Sequence, residues 1–281
     1  QIDKLVKAIP SLNDFPSLRS TIQKEILDMP YKMDYYPEYM AKRCNYPIGN
    51  KDVEVATWED ILATDQDVIN LEGKNCVGGV DYAKTNDFVA MGLTFNVQGK
   101  IYHIHHTLIC SRSRDLGGIK APLREWETKG DVDFVDDVEI PPELVAQWFE
   151  KMGRKFNILK IAIDNYRYSL LNSALKAVGF DAFERKNVYL VRPSDIMKAA
   201  PIINHAFVTH TVVFGNVPIM RWYTNNTKKQ MDAKGNITYG KIEPNYRKTD
   251  GFMAFVCTMT IIDEIPEEAD YSGINFDVYS Y

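Results

Sequence analysis

Three aspartates stand where they could do chemistry together. Asp81 ends the apolar run Cys76-Val77-Gly78-Gly79-Val80, Asp164 ends Ile161-Ala162-Ile163, and Asp250 opens the uncharged run 251–262. An acid at the end of an apolar strand sits at the lip of a sheet, beside whatever the neighbouring strands bring there. Like charges held close cannot all stay ionised unless something neutralises them. A fold that gathered these three would therefore make a divalent-cation site, and hard oxygen donors suit Mg2+ or Mn2+ better than zinc. Each acid also has a structural explanation: Asp81 as a turn former, Asp164 as the cap of a following helix, Asp250 as a charge favoured at a helix start. The shared position at the ends of apolar elements favours the joint reading. Asp87, across the expected hairpin from Asp81, is placed behind the ligands. Asp131, Asp133, Asp136 and Asp137 read as solvated loop charge.

The elements that must position these acids begin at Asn75. Residues 76–82, 88–97 and 100–109 read as three strands in an antiparallel meander, with Val97-Gln98-Gly99-Lys100 as a tight turn. His103, His105 and His106 fall on the third strand, the first two on one face and the third on the other, and we expect a partly exposed strand there rather than a metal site. Residues 111–140 read as polar loop. A helix then opens on Pro141-Pro142, a strand covers 158–163, a helix 169–178 is closed by Gly179, and a strand follows at 188–191. Strand, helix, strand crossovers imply parallel pairs. The fold class is α/β, a mixed sheet with helices on its faces. A helix at 193–208, a hairpin at 228–241 turning at 232–236, and a buried, all-apolar helix from 249 to about 263 complete it. Residues 1–74 differ, with short helical stretches at 18–29 and 36–43, and form a helical arm. The acidic, aromatic tail 266–281 is expected to be loose.

At 281 residues and 45% hydrophobic content, the chain can bury one good core and carry an appendage. Its four cysteines, Cys44, Cys76, Cys110 and Cys257, form no Cys-x-x-Cys pair, which speaks against a zinc ribbon or a disulfide framework. No apolar run approaches the roughly 20 residues that a membrane span needs, and nothing at the amino end resembles a signal peptide. A soluble protein of a reducing cytoplasm is expected. The net charge of -5 argues against a strong non-specific nucleic-acid binder, so any grip on DNA must be local.

Carboxylates at the tips of the first and fourth strands and at the head of the last helix follow the layout of ribonuclease H-like nucleases. The resemblance sharpens over Gly79-Val80-Asp81 with Thr85-Asn86-Asp87, Ile163-Asp164-Asn165, His210, Asn216-x-Pro218-x-x-Arg221-Trp222-x-x-Asn225, Lys241 and Lys248-Thr249-Asp250-Gly251-Phe252. Together these resemble the nuclease domain of the large terminase subunit, the DNA-packaging protein of tailed bacteriophages. That resemblance implies a two-metal endonuclease, using Mg2+ or Mn2+, that cuts concatemeric double-stranded viral DNA in the host cytoplasm. It implies Asp81, Asp164 and Asp250 as catalytic metal ligands, Lys241, Arg247, Lys248 and Arg221 as phosphate contacts, and the portal protein and small terminase subunit as partners. Residues 1–74 would link to an ATPase motor, with the nuclease at 75–265. No Gly-Lys pair is followed by Ser or Thr, so the motor's phosphate loop lies outside this chain, and the start at Gln1 suggests a piece of something longer. Rival readings are a resolvase or transposase core on the same fold and a non-catalytic docking module.

Overall fold

The computed structural model of the chain describes residues 12–28, 39, 42–43, 54–83, 88–137, 139–231, 235–243 and 246–266. Two compact units emerge, Gln1–Glu54 and Val55–Tyr281. In the first, helix α1 (Pro16–Asp28) forms where the periodicity placed it, and its Glu25 accepts hydrogen bonds of 3.0 and 2.8 Å from the Arg43 guanidinium. Most of the stretch expected to coil at 36–43, and Cys44, lie outside the described residues.

The second unit opens with α2 (Trp58–Leu62), held by a capping box in which Thr57 and Asp60 each bond the other's amide. Strands β1 (Asn75–Asp81), β2 (Phe88–Val97) and β3 (Lys100–Cys110) then form the expected antiparallel meander. Gln98 and Gly99 have φ of 51° and 78°, the left-handed pair that a two-residue hairpin turn requires.

Residues 111–140 correct the sequence reading. They hold a 3-10 turn (Arg114–Gly118), α3 (Leu123–Lys129) and β4 (Val132–Val135). Buried Leu123, Trp126 and Val132 anchor elements too short to show a period, so tertiary contact overrides the polar composition. Next come α4 (Pro142–Gly153), β5 (Asn157–Asp164), α5 (Asn165–Ala177) and β6 (Val188–Val191). Helix α5 starts directly off β5, earlier than the expected 169, because Asp164 caps it. The remainder is α6 (Pro193–Val208), β7 (Val212–Val213), α7 (Pro218–Asn226), the ribbon β8 (Thr227–Met231) with β9 (Ile237–Lys241), and α8 (Asp250–Met259). Residues 232–234 of the hairpin turn and 267–281 of the tail lie outside the described residues.

The main sheet has seven strands in the order β4-β3-β2-β1-β5-β6, with β7 also on β3. The β1–β2 and β2–β3 pairs are antiparallel and the others parallel, a mixed sheet as expected. Alternation divides each strand between its two faces. On one face, Val80, Ile161 and Ile163 pack with Phe149 of α4 and Leu171 of α5. Full burial of Phe149 contributes about 1.5–3 kcal/mol of transfer free energy. On the other face, Val77, Ala162 and Val191 pack with Phe207 of α6 and Phe255 of α8. Every residue of α8 except Met253 is buried, as an all-apolar helix against a sheet should be. Gly79 allows this close packing: a Cβ there would run into the Ala254 carbonyl oxygen.

Candidate active site

Strands β1 and β5 run parallel with Val80 opposite Ile163, so Asp81 and Asp164 are the next residues on adjacent strands. Adjacent backbones lie about 4.8 Å apart. Alternation with Gly79 and Ala162 turns both acids toward the face that α8 covers. Both are partly exposed. Asp164 also caps α5, its Oδ1 accepting a 2.8 Å hydrogen bond from the Tyr166 amide. The capping explanation for Asp164 is therefore true, and it engages that oxygen while leaving the residue beside Asp81.

The first turn of α8 can be placed against the sheet from its neighbours. The Lys248 ammonium lies 5.6 Å from the centre of the Phe88 ring, and a Cβ on Gly251 would meet His105 and Tyr223. Phe88 pairs with Ile109 and Gly92 with His105. Ala90, the partner of Asp81, lies midway between Phe88 and Gly92. Asp250 is buried in the first turn of α8, the helix that covers this face. Two turns further along the same side of α8 comes Cys257. Burial pushes its thiol up, and the charges of Asp81 and Asp164 push it further. Helix α8 therefore lies across the acid pair with Asp250 at its head. Among the described residues, no three His, Cys, Asp or Glu side chains are grouped to hold a metal ion. The donor chemistry fits a hard divalent cation at the Asp81 and Asp164 pair, which presents carboxylates side by side at the open end of parallel strands.

The expected phosphate contacts divide. Arg221 is buried, its Nη1 donating 2.8 Å to the Gly215 carbonyl and its Nη2 lying 3.3 Å from Asp65. Lys248 is also buried, donating 3.1 Å to Asp115. Both charges face protein. Lys241, at the end of β9, is partly exposed, and Arg247, 3.7 Å from Glu243, is exposed. Asp87, with Thr85 and Asn86, lies outside the described residues. His210 bonds Asp60 at 2.9 Å.

The sequence profile described as "Terminase large subunit, endonuclease domain" matches residues 2–265. The chain belongs to this family. Among solved structures, the large terminase of bacteriophage HK97 aligns with a TM-score of 0.66 at 17% identity, over 93% of this chain and 54% of that one. The chain thus spans about half the length of that terminase. The large terminase nuclease of thermophilic phage G20c aligns with a TM-score of 0.48 at 10% identity, over 73% of this chain and 97% of that one. A form of that nuclease with bound magnesium aligns at 0.47 and 10%, over 74% and 97%. No curated protein matches the chain. The terminase fold is the ribonuclease H-like one that the strand order describes, and family membership supports a nuclease role in phage DNA packaging.

In this terminase domain the histidines of β3 depart from expectation. His103 and His105 are buried beneath α7 and α8, not partly exposed. His103 Nδ1 shares a 2.8 Å hydrogen bond with Thr94 Oγ1, which lies 2.6 Å from Thr258 Oγ1 of α8. His105 Nε2 bonds Thr107 Oγ1 at 2.7 Å, and that hydroxyl reaches the Tyr223 hydroxyl at 3.1 Å. Burial holds both imidazoles neutral, with His103 pushed down to about 3 and His105 also well below its ordinary value. His106 points to the other face as alternation required, 2.9 Å from Asp133 and stacked on Trp148. The sequence reading took Cys257 only as a cysteine without a Cys-x-x-Cys partner, although its spacing of two helical turns from Asp250 was the available signal for its place by the acids.

Proposed function

We propose that the sheet-bearing unit is a divalent-metal-dependent endonuclease that cuts double-stranded, concatemeric viral DNA during genome packaging. One observation carries this reading: Asp81 and Asp164 end adjacent parallel strands on the face that α8 covers, and Asp250 opens that helix. In this assignment Asp81 is the shared ligand, and Asp164 and Asp250 each complete one of two cation sites. Divalent cations there would supply charge neutralisation and Lewis-acid polarisation of the phosphodiester. The chain's own contribution is to hold the acids: β1 and β5 fix the spacing of Asp81 and Asp164, the Tyr166 amide orients Asp164, and α8 brings in Asp250. Lys241 and Arg247 would hold the phosphate near the cut. Lys248, tied to Asp115, would steady the segment that carries Arg247, and Arg221 would tie Gly215 to Asp65. Residues 1–74 would link the nuclease to the ATPase motor, with the portal protein and small terminase subunit as partners in the host cytoplasm. Among the described residues no helix is long and apolar enough to cross a membrane.

The test is plasmid cleavage in Mn2+, Mg2+ or EDTA, comparing the chain with Asp81→Ala. Cutting that needs the metal and disappears in the variant, with circular dichroism unchanged, is the expected result. An Asp81→Ala protein that cuts at the original rate would remove Asp81 from the site.

A further inference from the structure

Helix α7 carries the part of the sequence motif that a generic ribonuclease H does not need. The ordinary roles for such residues are a Trp222 that fills core and an Asn225 that caps the helix end. The structure assigns the tying role to the next residue instead: Asn226 is buried and its Nδ2 donates 3.0 Å to the Lys248 carbonyl. Asn225 is exposed. Trp222 is half-buried, packed at 5.7 Å on Trp126 and 5.2 Å on Tyr223 between ring centres. Trp222 and Asn225 line a cleft of about 660 Å³ together with Gly118, Lys120, Tyr246 and Arg247. The Tyr246 ring lies directly against Gly118, where any Cβ would overlap it. Tyr246 is nonetheless 45% exposed. Arg247 is followed by Lys248, anchored near Phe88 at the active-site edge of the sheet, and then by Asp250 at the head of α8. Through Arg247 the cleft stands three residues along the chain from Asp250.

Resting on the nuclease reading above, we propose that this cleft holds one DNA strand beside the cut, with an unstacked base between Trp222 and Tyr246. The Asn225 amide, which both donates and accepts, suits a base edge. Lys120 and Arg247 suit the flanking phosphates. The volume falls within the usual range for ligand pockets, roughly 300–1,000 Å³. Aromatic faces beside cations are the general means of gripping single strands without reading sequence. Glu243, 3.7 Å from Arg247, disfavours a free anion and leaves the aromatic contact to select a nucleotide over bare phosphate.

The test uses the whole chain in EDTA, so that binding is read without cutting. A short labelled oligodeoxythymidine, the same strand made abasic, and a blunt duplex are compared by fluorescence anisotropy. The intact strand should bind ~10-fold more tightly than the abasic one, the scale of one base stacked on an aromatic ring. Asn225→Ala and Arg247→Gln should each weaken it ~5-fold. Trp222→Phe should keep the fold and binding but lose most of the tryptophan quenching on strand addition. Equal binding of intact and abasic strands, or Asn225→Ala and Arg247→Gln proteins that bind like the parent, overturns the proposal. Loss of this binding preference with metal-dependent cutting intact would sink the cleft alone, whereas base-dependent binding with no cutting in any metal would sink the nuclease reading alone.

Discussion

The two faces of the main sheet are covered in different ways. Under α4 and α5 the contacts are apolar: Val80, Ile161 and Ile163 meet Phe149, Leu171 and Leu175. Under α7 and α8, strands β2 and β3 of the same sheet also bury Thr94, His103, His105 and Thr107, and α8 contributes Asp250 and Thr258. Buried polar groups cost free energy unless they are bonded, so an apolar cover is the simpler route to stability. The polar groups gather on the face that also carries Asp81 and Asp164. The difference teaches that one face holds the sheet together while the other fixes where α8 stands over it.

Substitutions that act on one face and not the other test this division. The largest effect is expected from Asp164→Asn, which keeps an oxygen for the Tyr166 amide but removes the charge. Cleavage should fall by at least ~10³-fold, about 4 kcal/mol in the barrier, with the urea midpoint nearly unchanged. A large stability loss with proportionate activity would instead make Asp164 only a cap. On the opposite face, Phe149→Ala should cost about 3–5 kcal/mol of stability in urea unfolding. Its metal requirement for cutting should not change.

Acid should attack the polar face first. Burial pushes His103 down to about 3, from an ordinary 6.5. As pH falls below that ordinary value, the unfolded chain takes up protons that the folded chain refuses. Stability is therefore full above about 6.5 and declines toward 3, by up to ~1.4 kcal/mol per pH unit for each such histidine. His105 acts in the same direction. Unfolding at stepped pH should show the slope, and His103→Leu should remove its share. The smallest effect is expected from Thr258→Val, which deletes the 2.6 Å contact with Thr94 at about 1 kcal/mol. A neutral result would mean that the hydroxyl chain does not help to seat α8.

The strands and the acids at their ends were legible because both depend on local pattern: an apolar run, a period of two and a terminal carboxylate. What covers a face is not local. Alternation put His103 and His105 on one side and His106 on the other, but only the return of α7 and α8, far along the chain, buries the first two. Arg221 and Lys248 were expected to contact phosphate because the family resemblance runs through their motifs. Their partners Gly215, Asp65 and Asp115 come from distant segments that no spacing announces. Helix α3 and strand β4 were missed because each is shorter than the window in which a period can be seen.

The missing side chain of Gly79 also bears on what mutation can explore. Since a Cβ there would meet the Ala254 carbonyl oxygen of α8 as well as the Thr258 side chain, no rotamer change relieves the clash. A saturation library selected for folding should recover glycine at position 79 and tolerate variety at outward-facing Asn96. Substitution two residues from Asp81 would then be screened out by folding before chemistry could judge it.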